Sequence, residues 1–299
     1  MNKFVLRQSI LLLLAATIWG VAFVAQSVGM EYVGPFTFLA SRSAIGAIVL
    51  VLYIMIREKH GKEAAKREKV FSKELLIGGV CCGCLLFLAS ILQQIGIMYT
   101  TVGKSGFITA MYIVIVPILS VFLKKTGGIK IWIGVILAVC GLYFLCMQPG
   151  NVAVQKGDIL TFFCAVAFSF HILTVDYFAP RIDGVKLSCI QFAVCGVLSG
   201  IGMLAFETPS IAAVMEAWLP ILYAGALSSG VAYTLQIVGQ RGMNPTVASL
   251  LMSMESVISV IAGWAILNQT LSIRELIGCV CMFVAIILVQ LPDRAADRY

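Results

Sequence analysis

The chain has 299 residues, 61% of them hydrophobic and 12% charged, with a net charge of +7 and a mean hydropathy of +1.01. A soluble domain of this length cannot hide so much apolar surface, and soluble chains carry roughly 25% charged residues. The composition excludes a soluble enzyme or nucleic-acid module and points to an all-α integral membrane protein.

Ten apolar segments follow one another, at about 9–28, 36–56, 75–97, 102–123, 129–147, 157–178, 186–206, 217–238, 246–267 and 274–291. Each is near the ~20 residues that span a bilayer as a helix. The period-two alternation of a membrane β-barrel is absent. Lys3 and Arg7 precede the first segment as they would in a signal peptide. Its apolar run is long and no compact polar domain follows, so it is expected to be retained as a helix.

Basic residues set the expected orientation. With the N-terminus in the cytoplasm and ten crossings, 17 of the 21 Lys and Arg residues fall inside. Only Lys104, Lys156 and Arg274 fall outside, and Arg42 lies within a segment. Both termini are therefore expected on the cytoplasmic side of the cell membrane. The charge reads as this bias plus affinity for anionic membrane lipids, with no nucleic-acid partner. The tract REKHGKEAAKREKVFSKE reads as a solvated connector, with a regulatory or partner-binding role as the alternative.

All ten cysteines fall inside the apolar segments. Cys81, Cys82 and Cys84, like Cys279 and Cys281, look metal-like on paper. Neighbouring helical residues point ~100° apart, so these thiols cannot converge on one tetrahedral ion. Small packing residues are the expected reading, and no metal or organic cofactor is implied.

The chain also repeats itself. FTFLASRSAIGAIVL aligns with VKLSCIQFAVCGVLS at a shift of 149, placing Arg42 against Gln191, and the same shift sets Ala16–Trp19 against Ala165–Phe168. Leu92-Gln93 matches Leu235-Gln236 at 143, and Ile133-Gly134 matches Ile277-Gly278 at 144. Two five-helix halves are expected, about 1–151 and 152–299. Five is odd, so the second half enters the membrane from the opposite side. Inverted repeats of this kind let secondary transporters alternate between inward and outward openings around a midplane site.

AATIWGVAF in the first segment, an Arg in the second, YTTVGKSGFI leading into the fourth and VASLLMSMESV in the ninth keep a specific order. In that order the chain resembles the EamA branch of the drug/metabolite transporter superfamily over nearly its whole length. The resemblance implies ten helices in two repeats and carriage of small metabolites such as amino acids. Two positions depart from it. The Glu-Pro of the ninth helix is Glu255-Ser256, and the Gly-Glu that closes it is Asn268-Gln269. No role attached to the missing residues carries over.

Charges at bilayer depth need a partner or a wet cavity. Arg42 and Glu255 are expected to face a central cavity, paired directly or through water. Glu255 would meet a cationic group or a proton, and Arg42 a carboxylate. A structural ion pair, or an Arg42 that snorkels to headgroups, is the alternative. Ser229, Tyr233, Gln236 and Gln240 form one helical face, as do Ser105, Thr109 and Tyr112. With Gln93, Gln94 and Trp19 they line a pathway or serve as interhelical hydrogen-bond glue. His171 is either a buried histidine with one hydrogen bond or a proton or substrate contact. The pairs Gly79/Gly83 and Gly196/Gly200 read as close helix packing.

TTVGKSGFITA contains fragments of two catalytic signatures. A nucleotide-binding loop needs a Gly where Met98 stands and a strand before it, so that match fails. A Ser–His nucleophile pair needs Ser105 and His171 about 3 Å apart. Ideal helices place them ~15 Å apart in depth. The expected function is a secondary transporter of small amino-acid-like or organic-cation-like metabolites, with proton coupling and facilitated diffusion both open, as a monomer or homodimer. A membrane-embedded enzyme, a channel or a scaffold is the alternative.

Overall fold

Apolar runs in lipid must satisfy every backbone N–H and C=O internally, which a helix does. The computed structural model describes residues 3–60, 72–100, 102–123, 128–147, 154–267 and 272–290, and these residues contain helices and turns with no strand. Residues 61–71 of the basic tract, Asn268, Gln269 and the basic C-terminal stretch lie outside the described residues.

The helices in chain order are α1 (Lys3–Gly29), α2 (Pro35–His60), α3 (Lys73–Ile97), α4 (Val102–Thr109), α5 (Tyr112–Phe122), α6 (Ile129–Cys146), α7 (Lys156–Phe178) and α8 (Gly184–Phe206). Then come α9 (Ile211–Glu216), α10 (Trp218–Leu222), a π-helical stretch (Tyr223–Ala232), α11 (Tyr233–Gln240), α12 (Pro245–Met252), α13 (Met254–Leu267) and α14 (Ile273–Gln290). Eight stretches are long and apolar enough to cross a membrane. Three of them are composite: α4 with α5, α10 through α11, and α12 with α13. The remaining two apolar helices, α6 and α14, have 18 residues each and pack on one another. Their backbones approach closely, since a Cβ on Gly278 would lie 2.7 Å from the Gly141 carbonyl oxygen.

Helix boundaries recur along the chain. α2 and α8 begin 149 residues apart, and α6 and α14 match at both ends at a shift of 144. α4 and α12 have eight residues each and match at both ends at 143. Both are followed by a break. At the first, backbone bonds tighten from i−4 to i−3: Met111 N donates to Ile108 O and Ile113 N to Ala110 O. At the second, Ser253 Oγ donates to Leu250 O at 2.7 Å, and Ser256 N bonds Ser253 O. Hydroxyl back-bonding of this kind bends helices. Pro117 lies well inside α5, and the second break occurs with no proline beside it.

The packing pairs are α3 on α7 and α8, α1 on α10–α11 and α13, and α2 on α8 and the π-helical stretch. Gly79 and Gly83 admit Ile190 and Val194 of α8, as the spacing predicts. A Cβ on Gly200 would meet nothing within 4 Å, so its half of the second pair does no close packing.

Helix ends are capped from within and across the chain. Ser72 accepts from Leu75 N, and Asn244 from Thr246 N beside Pro245. Asp183 accepts from Val185 N and Lys186 N. The N-terminus of α2 takes its cap from a distant residue, with Phe36 N and Thr37 N each 2.8 Å from the Glu207 carboxylate. At the other end of the bundle Arg57 meets Asp183 at 2.8 Å and Lys186 meets Glu58 at 3.0 Å. The end of α2 and the α7–α8 turn therefore share one side, as the charge distribution requires.

Candidate functional site

Several of the polar residues buried in this bundle converge on a cavity lined from α1, α2, α3, α4, α5, α7, the π-helical stretch, α11, α12 and α13. It offers about 50 Å³ to the centre of a water molecule. At the ~10–15 Å³ each water needs, that is room for about three to five waters or a very small solute.

Its walls come in matched positions. Trp19 and Phe168 correspond at the 149 shift, as do Phe23 and Ile172. Gln93 and Gln236, Thr109 and Met252, and Tyr112 and Glu255 correspond at 143. The last pair touches across the cavity, with the Tyr112 hydroxyl donating to Glu255 Oε1 at 3.0 Å. Each follows one of the two helix breaks, so the breaks themselves bring these side chains to the centre. Gln93 Nε2 donates to Thr109 Oγ1 at 3.3 Å. Arg42, Gln26, Ser228 and Tyr233 complete the lining. The Trp19 and Tyr233 rings pack edge-on with centroids 4.7 Å apart.

Much of the polar lining has hydrogen-bonding capacity to spare. Arg42 is 3% exposed, and Nη2 donates to Ser90 Oγ at 3.3 Å. Its Nε, Trp19 Nε1, Gln26 Oε1 and Gln236 Oε1 find no partner among the described residues. Buried polar atoms are normally paired, so a cluster of unpaired ones calls for an explanation. Two donors and two acceptors, with one guanidinium and one carboxylate, make an inventory for a ligand that both gives and accepts hydrogen bonds.

Eight of the expected residues line this cavity: Trp19, Arg42, Gln93, Thr109, Tyr112, Tyr233, Gln236 and Glu255. Arg42 and Glu255 form no direct ion pair here, being held instead by Ser90 and Tyr112. Gln94 is buried but outside the lining, because it points ~100° away from Gln93 on the same helix. His171 also lies off the cavity. Its Nε2 is 3.1 Å from Gln191 Oε1, and its ring stands behind Tyr233 at 6.2 Å. The Ser229–Gln240 stripe does not survive as one face. A π-helix turns more slowly per residue than an α-helix, and the cavity receives Ser228 in place of Ser229. Ser229 packs against Gly46 of α2, and Gln240 Nε2 donates to Ile172 O at 3.5 Å. Ser105 is fully buried with Oγ 3.4 Å from Thr161 Oγ1, so the serine and His171 serve different neighbours.

Phe23, Gln26, Phe168, Ile172, Ser228 and Met252 also line the cavity and were not among the expected residues. Trp19, Phe23 and Gln26 are spaced 4 and 3, one helical face, and a shift of 149 carries its first two positions to Phe168 and Ile172. Ser228 carried no such signal, because α-helical spacing points to its neighbour.

The EamA-like transporter family matches residues 6–147 and 155–291. An "Uncharacterized transporter" of Archaeoglobus fulgidus is 27% identical over 281 residues, covering 94% of this chain and 84% of that protein. The "Uncharacterized transporter YetK" of Bacillus subtilis is 25% identical over 95% of this chain and 87% of its own. The "Uncharacterized inner membrane transporter YedA" of Escherichia coli is 23% identical over 92% and 87%. A solved crystal structure superposes with a TM-score of 0.80 at 18% identity, over 95% of this chain and 98% of the other, a likeness of fold alone. With helices that suit a bilayer, a polar cavity at their centre and a family match over both halves, the chain is a multi-pass membrane protein that belongs to the EamA-like transporter family.

Proposed function

We propose that the protein is a secondary transporter that carries a small zwitterionic, amino-acid-like solute by alternating access. It crosses the cytoplasmic membrane ten times as two inverted halves, 1–151 and 152–299, with both termini in the cytoplasm. One observation carries this reading. The cavity is walled by corresponding residues from both halves, and it holds a cation from the first (Arg42) and a carboxylate from the second (Glu255) with no direct pairing between them.

The recurring helix boundaries and the exchange-symmetric packing support the repeat. Swapping the halves turns α3 on α7 into α10–α11 on α1, and leaves α2 on α8 and α6 on α14 unchanged. A solute bearing one positive and one negative group would satisfy Glu255 and Arg42 together, while the aromatic rings of Trp19, Phe168 and Tyr233 shelter its carbon atoms. A plain organic cation would leave the guanidinium unanswered and repelled. The separate partners of Ser105 and His171 favour carriage over covalent chemistry.

The test is uptake into proteoliposomes over a panel of amino acids and organic cations, with and without a pH gradient. Saturable uptake of zwitterions is expected. Full activity of Glu255→Gln at normal expression would defeat the site assignment. Ion conductance without solute uptake would favour a channel.

A further inference from the structure

Away from the central cavity, α5 and α7 leave a groove of about 450 Å³ between them. Leu119 and Leu123 line it from α5, with Phe170, Thr174 and Tyr177 from α7. Thr174 spends its hydroxyl on the Phe170 carbonyl, 2.8 Å away. The walls are therefore apolar apart from the Tyr177 hydroxyl. Leu123, Phe170 and Tyr177 are each about half exposed, so the groove opens sideways from the bundle, where the bilayer lies. From Phe170 to Phe178 it follows α7 for eight residues, or ~12 Å along the axis. That is close to the depth of one leaflet, half of a ~30 Å hydrocarbon core.

The groove ends one helical turn from a cation. The Arg181 guanidinium lies over the Tyr177 ring, 3.8 Å from its centroid, and Nη1 donates to Tyr177 O. These two contacts hold the charge at the mouth. Glu74 stands 3.8 Å from Arg181 Nε, and both side chains are close to half exposed, a setting in which an ion pair is weak. Arg241 donates from Nη2 to Pro180 O at 3.3 Å, beside Arg181, and has no carboxylate within ion-pair distance among the described residues. Asp183 and Glu58 at this end are already engaged, by Arg57 at 2.8 Å and Lys186 at 3.0 Å. Asp176 is buried and outside the groove lining. The mouth therefore carries a surplus of positive charge.

We infer that the α5–α7 groove binds an anionic phospholipid, with one acyl chain along the groove and the phosphate at Arg181 and Arg241. Apolar walls at leaflet depth suit a hydrocarbon chain, and a polar solute there would lose its hydrogen bonds. The arginines select the headgroup. A guanidinium fork matches phosphate oxygens, and basic groups at a helix end favour anionic lipid. Walls and cations together narrow the occupant to an amphiphile. A helix of another chain would fill the walls and leave the cations unanswered. A soluble phosphate would answer the cations and leave the walls unused. With the topology proposed above, the lipid belongs to the cytoplasmic leaflet; only that choice of leaflet rests on the topology.

The test is lipid binding to the purified, delipidated protein, read by native mass spectrometry. Phosphatidylglycerol and phosphatidylcholine with the same acyl chains are titrated separately. One phosphatidylglycerol should bind about tenfold tighter than phosphatidylcholine or better, and should raise the melting temperature further. Arg181→Gln combined with Arg241→Gln should abolish the preference, and Arg57→Gln at the same end should keep it. Thr174→Trp obstructs the groove and should weaken binding of both lipids. Glycerol 3-phosphate, a headgroup without tails, should displace neither. Phosphatidylglycerol with a diazirine at the end of one acyl chain should label residues 119–123 and 170–178 of the unaltered protein, which decides the matter if a variant does not fold. Equal binding of the two lipids overturns the inference. So does a preference that survives the paired arginine substitutions, one that falls as far in Arg57→Gln, undiminished binding in Thr174→Trp, displacement by glycerol 3-phosphate, or labelling spread over the exposed faces of α2 and α14.

Discussion

Arg42→Met separates a working charge from a structural one. Arg42 is 3% exposed, and the one described hydrogen-bond partner of its guanidinium is a hydroxyl at 3.3 Å. Burying a charge without a counter-ion costs several kcal/mol. An unbranched apolar side chain removes that cost, so the folded protein should be as stable as before or more stable, with about 1–4 kcal/mol, the scale seen when whole buried ion pairs give way to apolar groups, as the upper bound. Transport should move the other way. Charge-assisted hydrogen bonds to an anionic substrate group contribute about 1.5–3 kcal/mol, or roughly 10- to 150-fold in apparent affinity. The assay is thermal unfolding of the purified variant beside its uptake kinetics. An unchanged or raised melting temperature with a KM at least tenfold higher is the expected pair. A lowered melting temperature with unchanged KM would make Arg42 a structural residue with no part in substrate binding.

Other expectations follow from single contacts. Gly20→Ala places a Cβ 2.5 Å from Ile258 Cβ, and such overpacking should destabilise by about 1–3 kcal/mol, seen as a lower melting temperature. Glu207→Ala strips the α2 N-terminus of its carboxylate cap, and unfolding should become easier by about 0.5–2 kcal/mol; no change would mean that solvent replaces the cap. Ser105→Ala removes a weak contact to Thr161, so uptake should persist and a serine-directed covalent probe should label neither protein. Burial raises the Asp183 carboxyl, but the Lys186 N–H and the Arg57 guanidinium outweigh it and hold it below its ordinary value of 3.8. Its contribution to stability is therefore present above that value and lost as pH falls through the lower folded value. Asp183→Asn should remove this part of the acid dependence, measured as melting temperature against pH.

Much of this molecule was legible in its residues. Hydropathy located the helices, and shifts of 143–149 anticipated boundaries that recur in the fold. Tyr112 and Glu255 could be singled out because polar and ionisable groups deep in apolar runs are costly unless partnered or set in a wet cavity. What was not legible depended on backbone geometry. The π-helical stretch rotates Ser228 into the cavity and Ser229 out of it, which an assumption of 3.6 residues per turn cannot foresee. The breaks after Thr109 and Met252 were hidden inside continuous apolar runs, since hydropathy does not record a shift from i−4 to i−3 bonding. The partners of Arg42 and His171 are tertiary facts, set by Ser90 on α3 and Gln191 on α8. Depth alone placed Arg42 and Glu255 within reach of each other, and it could not reveal that each takes a hydroxyl partner instead, Ser90 and Tyr112.

In the proposed transport cycle one small solute bridges Arg42 and Glu255. The most direct test of this is competition in proteoliposomes: a radiolabelled zwitterionic amino acid against its decarboxylated amine and its deaminated acid. Saturable uptake should be inhibited at least tenfold better by the zwitterion than by either single-charge analogue, with that preference lost in both Arg42→Met and Glu255→Gln. Equal inhibition by all three, or a preference that survives both substitutions, would contradict it.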